Sequence, residues 1–534
     1  MISKKQFYFV IISVIVASFA IIDKLCLRKI FINDKVNLAL KTKRNIFKDI
    51  FVKDELVKEI SKKDESYAEY CKEIFGEFID ELRERNKDIE PKNTDKTITI
   101  KIALTNTISN ISGTNLEAEF MANALNEWAK GEFLSYAENI KYDVILYKNS
   151  DDLHETISSY LYVKSPEYDI VMLDIVWVGQ YKNYLLDITD IISNQTTSLY
   201  KEENLNSCKS GTELVGLPLY TDYGIMMYRE DLLEKYNREV PKTWDQLEET
   251  TLYILEKEHE NGNKNLKGYA GQFSAYEGLT CNIVEWIYSY RESYGSECKY
   301  FSDEAASNAL EKISKFLDEG VMPVENFEYK EDESLKEWLD GNLIFIRNWP
   351  GSIKTSSVKF EGSSIKFGVT PLPGQQEGIS ASTLGGWVIG ASKFTKNQYI
   401  AAKTVEYLTG EEFQRFKAKH FNLLPTMDHL YADSEVCEVI QCDLFKNMQG
   451  VLRPSDGNRY SEYTAIIYKT VRKVLLKEMT IENAFRIIIS YTDKSILFIT
   501  QLCTNIENLI ITLTVIFIYA GIFAYYIYFS FFEK

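Results

Sequence analysis

Aromatic residues stand beside short polar residues or glycine at several points of this 534-residue chain. The positions that combine these residue types are Asp174, Trp177, Tyr220, Asp222, Tyr276, Glu277, Gly278, Leu279, Trp349, Gly385, Gly386 and Trp387. The flat face of Trp or Tyr packs against the C–H face of a sugar ring, while carboxylates accept hydrogen bonds from its hydroxyl groups. Each tryptophan taken alone is better explained as a core residue. The repeated occurrence of aromatic residues beside polar residues and glycine at these points predicts a carbohydrate-binding site.

The elements that must position these residues alternate between strands and helices. Residues 97–104, 142–147 and 168–173 have the apolar character of buried strands, and amphipathic helical patterns separate them. This order predicts an α/β fold with a parallel sheet and helices on both faces. In open α/β sheets, ligands bind outside the carboxyl ends of the strands. Asp174 and Trp177 directly follow the third predicted strand, so we expect the site at that edge.

Composition excludes several functional classes. The net charge of −17 makes nucleic acid an unlikely partner, because phosphate backbones repel an acidic surface. Eight cysteines are too sparse for a disulfide framework, and the four histidines are too scattered for a metal site. The sequence therefore predicts neither a metal nor another cofactor.

The two ends predict membrane association. Residues 7–22 form an uncharged run after a basic tail, so 1–32 is interpreted as a signal peptide or membrane anchor. Residues 509–532 are 24 uncharged residues that predict a C-terminal transmembrane helix. We therefore expect a membrane protein with its central block on the extracellular, periplasmic or lumenal side.

A charged segment, 33–92, links the first of these ends to the α/β region. Its apolar residues recur at spacings of three and four and predict one helical face: Tyr67, Tyr70, Ile74, Phe75, Phe78, Ile79 and Leu82. We interpret the segment as a helical stalk that acts as a solvated spacer, with a signalling coiled coil as the alternative.

Several motifs occur in the order found in one known family. They include Leu173-Asp-x-x-Trp177, Leu217-Pro-Leu-Tyr-Thr-Asp222, Pro241-Lys-Thr-Trp-Asp-Gln-Leu247, Leu384-Gly-Gly-Trp387 and Arg453-Pro454. Residues 97–490 resemble extracellular solute-binding proteins of family 1, the maltose- and trehalose-binding type of sugar ABC importers.

The resemblance implies a periplasmic-binding-protein-like fold of type II, with two lobes that close on a sugar. It implies one lobe from 97–215 with 374–420 and another from 216–373 with 421–490. The chain would cross between the lobes at the extended segments 216–222 and 365–373. The family's sugar-contacting positions map onto the twelve residues named first.

Three functions are compatible with these observations. The resemblance favours capture of a disaccharide or oligosaccharide for transport, with a membrane permease as partner. A sugar-sensing receptor is the alternative. It would need a membrane partner subunit, because the predicted cytosolic ends are too short for a signalling domain. A glycosidase would need two carboxylates across a cleft, and Asp174 and Asp222 are the candidates. The resemblance argues against an enzyme, because its acidic residues bind sugar hydroxyls.

Overall fold

The computed structural model describes residues 54–105, 115–296, 301–454 and 459–492. The predicted signal or anchor segment at 1–32 and the predicted transmembrane helix at 509–532 lie outside these residues, as does the first part of the predicted stalk. Within the described ranges, no helix is both long and apolar enough to cross a bilayer.

The first stretch of the chain alternates strands and helices. Its elements are α1 (Asp54–Arg85), β1 (Thr97–Thr105), α2 (Leu116–Glu132), β2 (Asn139–Tyr147), α3 (Ser150–Tyr162), β3 (Ile170–Asp174), α4 (Val178–Tyr181), α5 (Asn194–Thr197), α6 (Glu202–Ser207), β4 (Lys209–Ser210), β5 (Glu213–Leu214) and β6 (Leu217–Tyr223).

A second stretch follows directly. It contains β7 (Ile225–Arg229), α7 (Glu230–Lys235), α8 (Trp244–Glu260), β8 (Lys267–Ala270), α9 (Glu277–Ser289), α10 (Glu304–Asp318), α11 (Glu331–Leu339), β9 (Leu343–Asn348), α12 (Gly351–Phe360) and β10 (Phe367–Thr370).

The remaining elements complete both halves of the molecule. They are β11 (Ser382–Ala391), α13 (Gln398–Leu408), α14 (Glu411–Phe421), α15 (Ser434–Ile440), α16 (Cys442–Lys446), β12 (Gly450–Val451), α17 (Tyr460–Leu475) and α18 (Ile481–Thr492). Three short 3-10 helices, Lys182–Tyr184, Val324–Glu328 and Asp428–Ala432, lie between them.

Two sheets define two lobes. The first lobe is built on six strands in the order β12-β11-β3-β1-β2, with β6 also paired to β11. The second lobe is built on four strands in the order β10-β7-β9-β8. Strands β3 and β9 are buried along their whole length, as expected for apolar strands covered by helices on both faces. The predicted two-lobed α/β architecture is confirmed.

The chain first crosses between the lobes at Gly224. Strand β6 pairs with β11 in the first sheet, whereas β7 pairs with β9 in the second. The crossing therefore lies just after the predicted segment 216–222, which is itself a strand of the first lobe. A Cβ on Gly224 would lie 1.9 Å from Glu285 Oε1 and 2.7 Å from Arg347 Nη2. Only glycine fits there, because a buried ion pair fills the space beside the backbone.

Later crossings connect the same two lobes. Residues 371–381 connect β10 in the second sheet to β11 in the first. The predicted crossing 365–373 contains β10 and overlaps the first part of this connection. A further crossing follows α14, because Leu423 belongs to the core of the first lobe and Leu424 to an apolar cluster of the second.

Helix α1 packs against the first lobe from Ser66 onward. The predicted apolar face is confirmed, since Tyr67, Phe75, Phe78, Ile79 and Leu82 are all buried. They belong to the same apolar core as β1 and α2. The interpretation as a solvated spacer is therefore wrong for this half of the helix. The charged residues of this helix lie on the opposite face. The sequence predicted the apolar face but not that it packs against the first lobe.

One disulfide among the described residues, Cys437–Cys442, connects the middle of α15 to the start of α16. Cys71, Cys208 and Cys281 are free and buried. The sequence reasoning did not identify the Cys437–Cys442 pair.

Candidate functional site

A cavity of about 410 Å³ lies between the two lobes. Ten of the twelve predicted site residues line it: Asp174, Tyr220, Asp222, Tyr276, Glu277, Gly278, Trp349, Gly385, Gly386 and Trp387. They come from both sheets, so the cavity exists only where the lobes face each other.

The first-lobe wall is formed where parallel strands end. Strand β1 pairs in parallel with β2 and β3. Thr105 is the last residue of β1, Lys148 follows β2, and Asp174 ends β3. Because the carboxyl ends of parallel strands meet at one edge of a sheet, these three side chains reach the same cavity.

Strand β11 brings the remaining first-lobe residues together. Trp387 is paired with Asp174 of β3 on one side and with Tyr220 of β6 on the other. Gly385 lies opposite Asp222, and a Cβ on Gly385 would lie 3.3 Å from the ring of Trp349 in the second lobe. The missing side chain at Gly385 thus leaves room for an aromatic ring from the other lobe.

The second-lobe wall is built from helix N-termini. Helices α9, α11 and α12 begin at Glu277, Glu331 and Gly351, and all three residues line the cavity. The unpaired backbone N–H groups of a helix N-terminus favour oxygen-rich ligands. This wall therefore offers donors as well as the aromatic rings of Tyr276 and Trp349.

Trp349 is held by a buried ion pair. The Arg347 guanidinium lies 3.8 Å from the Trp349 ring centroid, a cation–π contact. Arg347 Nε donates to Glu285 Oε2 at 2.9 Å, and its Nη2 donates to Oε1 at 2.6 Å. Both charged groups are buried and satisfy each other, so the pair positions the ring without adding net charge to the site.

Arg453 connects the two walls of the cavity. Its Nη1 donates to Asp174 Oδ2 at 2.8 Å in the first lobe and to Glu277 Oε1 at 3.0 Å in the second. Its Nη2 donates to the other oxygen of Asp174. Thr464 Oγ1 donates to Glu277 Oε2 at 2.6 Å, and Tyr460 donates to Glu277 Oε1. The arginine is a bidentate partner of one carboxylate and a bridge to another.

Asp222 is the carboxyl group with the most altered acidity in the cavity. Its pKa is raised to about 8, mainly by burial and also by the nearby Asp174 carboxylate, with Arg347 and Arg453 acting in the opposite direction. Near neutral pH the group therefore holds its proton in part and can donate as well as accept a hydrogen bond.

Four cavity-lining residues keep a buried polar atom without a partner in the described part of the chain. These atoms are Asp222 Oδ1, the Tyr276 hydroxyl, Asn348 Nδ2 and Arg453 Nε. Buried polar groups in folded proteins are nearly always hydrogen-bonded. Four such atoms beside one cavity make it the candidate site for a polar ligand.

The structure does not bring Trp177 and Leu279 to the cavity wall. Trp177 is buried behind it, with its ring centroid 4.6 Å from that of His154 and 5.7 Å from that of Trp387. Leu279 lies in the apolar core of the second lobe. Trp177 therefore supports Trp387, and Leu279 anchors the first turn of α9.

Sequence reasoning missed several lining residues. These include Thr105, Lys148, Asn149, Ser150, Cys281, Lys330, Glu331, Asp332, Glu333, Asn348, Gly351, Ser352, Thr355, Leu423 and Arg453. Of these residues, Arg453 was visible only as part of the motif Arg453-Pro454. A search for polar residues at predicted helix starts would have found Ser150 and Glu331.

Two lobes joined by several crossings, with a polar and aromatic cavity between them, define a solute-binding protein. Residues 113–415 match the family model described as bacterial extracellular solute-binding protein. The chain belongs to this family.

Relatives and solved structures agree with this assignment. A probable ABC transporter-binding protein of Deinococcus radiodurans is 32% identical over 344 residues, which cover 62% of this chain and 80% of that protein. The galactooligosaccharide-binding protein of Bacillus subtilis is 23% identical over 250 residues, 46% of this chain and 57% of that protein. The maltose-bound MalE3 of T. maritima superposes with a TM-score of 0.64 at 25% identity, covering 75% of this chain and 99% of that one.

These relatives and this fold belong to binding proteins and not to enzymes. The site agrees with that, because Arg453 engages both oxygens of Asp174.

Proposed function

We propose that the cavity binds a sugar, most simply a glucose disaccharide such as maltose or trehalose, and releases it unchanged. The observation that carries this proposal is the set of four unpartnered polar atoms, on Asp222, Tyr276, Asn348 and Arg453, beside the rings of Trp349 and Trp387. Sugar hydroxyls would satisfy the polar atoms, and the rings would pack on the C–H faces. A volume of about 410 Å³ suits a ligand of two rings better than one of many.

The proposed role is delivery of the sugar to an ABC importer. The relatives from D. radiodurans and B. subtilis carry names of binding proteins, one for an ABC transporter and one for galactooligosaccharide, and the T. maritima structure holds maltose. We therefore propose a membrane permease as the partner that receives the sugar.

We also propose that the lobes lie outside the cytosol and are tethered to a membrane by segments 1–32 and 509–532. The uncharged runs at both ends support the tether. The Cys437–Cys442 disulfide supports the compartment, because disulfides persist in oxidising environments and are rare in the cytosol.

A sensor that works with a membrane partner is the second candidate. The observation that favours it is that α1, which precedes both lobes, contacts both of them.

Calorimetry with maltose, trehalose, sucrose and longer glucans tests the binding proposal. Replacing Trp349 or Trp387 by Ala should weaken binding by more than about 1 kcal/mol, the scale of one aromatic contact. Trp128→Phe is the matched control, because Trp128 stacks on Tyr407 at 4.5 Å and does not line the cavity. No heat with any of these sugars, from a folded sample, would refute the proposal.

A further inference from the structure

Helix α1 is not part of either sheet, yet the half from Ser66 to Arg85 contacts both lobes. On the first lobe, Phe75 stacks on Phe120 of α2 with centroids 4.1 Å apart. Phe78 packs against Phe416 of α14 with centroids 4.5 Å apart. Arg85 Nη1 also pairs with Glu412 of α14 at 2.6 Å. These contacts fix the C-terminal turns of α1 to the first lobe.

The earlier turns of α1 face α12 of the second lobe. The Lys354 ammonium lies 4.5 Å from the ring centroid of Tyr70. The Tyr67 side chain is hydrogen-bonded to Thr355, and burial together with Cys71 beside it raises the pKa of Tyr67. Tyr70 itself is held on the first lobe, since its hydroxyl donates to the His420 carbonyl at 3.3 Å. The boundary between the lobes therefore runs between α1 and α12.

Helix α12 is also a wall of the cavity. It begins directly after Trp349, and Gly351, Ser352 and Thr355 line the cavity. Thr355 thus faces the cavity and also contacts Tyr67 of α1. A single residue separates the candidate ligand from a helix outside both sheets.

Rotation of the lobes must change this contact. Helix α12 follows β9 and places Ile353 and Phe360 in the second-lobe cluster, with Val358 against the first-lobe core. Helix α14 places its phenylalanines in the first-lobe core with α1, and Ala418 in the second-lobe cluster. The two helices therefore meet at the lobe boundary, each contributing mainly to its own lobe. The crossing at Leu423 and Leu424 lies between them, and a Cβ on Gly351 would be 3.6 Å from Leu423. A hinge motion there displaces Lys354 and Thr355 relative to Tyr67 and Tyr70.

We propose that the Tyr67–Cys71 turn of α1 is a closure-sensing contact, docked on α12 when the lobes are closed and released when they open. The inference rests on the proposed function, because a sugar that closes the lobes would then be reported on α1. By linkage, a contact made only in the closed form must strengthen sugar binding to the same degree that the sugar strengthens the contact.

Hydrogen exchange of the full chain, followed by mass spectrometry, tests the proposal. Addition of a sugar that binds should slow exchange of the amides at 67–71 together with those of the cavity wall at 276–281. The amides at 79–85 should not change, because that part of α1 stays on the first lobe. Slower exchange at 276–281 with no change at 67–71 would overturn the inference and leave the binding proposal intact.

An affinity measurement gives an independent readout. Tyr67→Ala should weaken sugar binding about fivefold or more, the lower range of site coupling. The control is Glu73→Ala, on the exposed face of the same helix, which should leave affinity unchanged. Equal affinities for the wild type and Tyr67→Ala, with both folded, would overturn the inference.

A third arm needs no sugar. Arg453→Met removes the link between Asp174 and Glu277 and leaves their carboxylates facing each other, so the lobes should separate. The radius of gyration should grow and exchange at 67–71 should become faster. A larger radius with unchanged exchange at 67–71 would overturn the inference, whether or not a sugar binds. Failure of every tested sugar to bind would instead refute the proposed function alone.

Discussion

Asp222 is the residue whose protonation the cavity controls most directly. Burial, with Asp174 nearby, raises its pKa from 3.8 to about 8. Between those two pH values the folded protein holds a proton at this site that the unfolded chain has lost. The free energy of unfolding must therefore fall as pH rises through this window, and the effect levels off above about pH 8.

Asp222→Asn should remove this pH dependence. Between pH 5 and pH 8 the wild type should lose stability relative to the variant, on the order of 3 to 4 kcal/mol, because each pH unit inside the window corresponds to about 1.4 kcal/mol. Urea unfolding at both pH values measures the difference. Asp428→Asn is the control, since the Asp428 side chain is 77% exposed. Parallel pH profiles for wild type and Asp222→Asn would contradict the assignment.

Sequence patterns identified site residues that follow predicted strands. They did not identify site residues whose contacts are with distant parts of the chain. Asp174 was predicted because the strand-end rule needs only local patterns, whereas Trp387 was predicted from its motif and lies inside β11. Arg453 was not predicted, since its partner Asp174 is separated from it by 279 positions and their contact depends on the complete fold. Leu279 lies in the core of the second lobe and not at the cavity wall, because the motif does not specify which side of α9 faces the cavity.

At the scale of elements, α1 shows what periodicity can and cannot reveal. The spacing of apolar residues identified the buried face, since side chains three and four apart share a side of a helix. It could not identify the partners of that face, because α2 and α14 come from distant parts of the chain. Aromatic residues such as Phe75 and Phe78 on a charged helix were the available signal that the face is buried.

Phe78→Ala should destabilise the protein by about 3 to 5 kcal/mol, the usual cost of removing a buried phenylalanine. The ring contacts Phe120, Phe413 and Phe416, so its loss leaves a cavity in the first lobe. Denaturant unfolding measures the change. Glu73→Ala, on the exposed face of the same helix, should shift stability by less than about 0.5 kcal/mol. Two variants of equal stability would mean that α1 is the solvated spacer first expected.

At the scale of the molecule, the lobes contact each other around the cavity. Lys330 Nζ donates to Asp151 at 2.7 Å, and Ser461 Oγ donates to Gln180 at 2.8 Å. Together with the bridge made by Arg453, these contacts hold the lobes in a closed arrangement. The two contacts near the surface each contribute little, so the buried bridge made by Arg453 is the main link between the lobes without a ligand.

A bound sugar should therefore compact the protein. It would contact both lobes and bind the closed form better, which shifts the population toward that form. X-ray scattering of the full chain should show a smaller radius of gyration with the sugar than without it. An unchanged radius, with binding confirmed in the same sample, would mean that the lobes are already closed when empty.

The late position of β11 in the chain has a consequence for biosynthesis. Within the part of the chain that the structure describes, this strand joins β3, β6 and β12, and β6 and β12 pair with no other strand of that sheet. A ribosome-bound chain that has not reached Ala391 therefore holds β1, β2 and β3 but lacks the strand that joins them to β6. Neither lobe is complete before the C-terminal segments emerge, so the native fold forms only when synthesis is nearly finished.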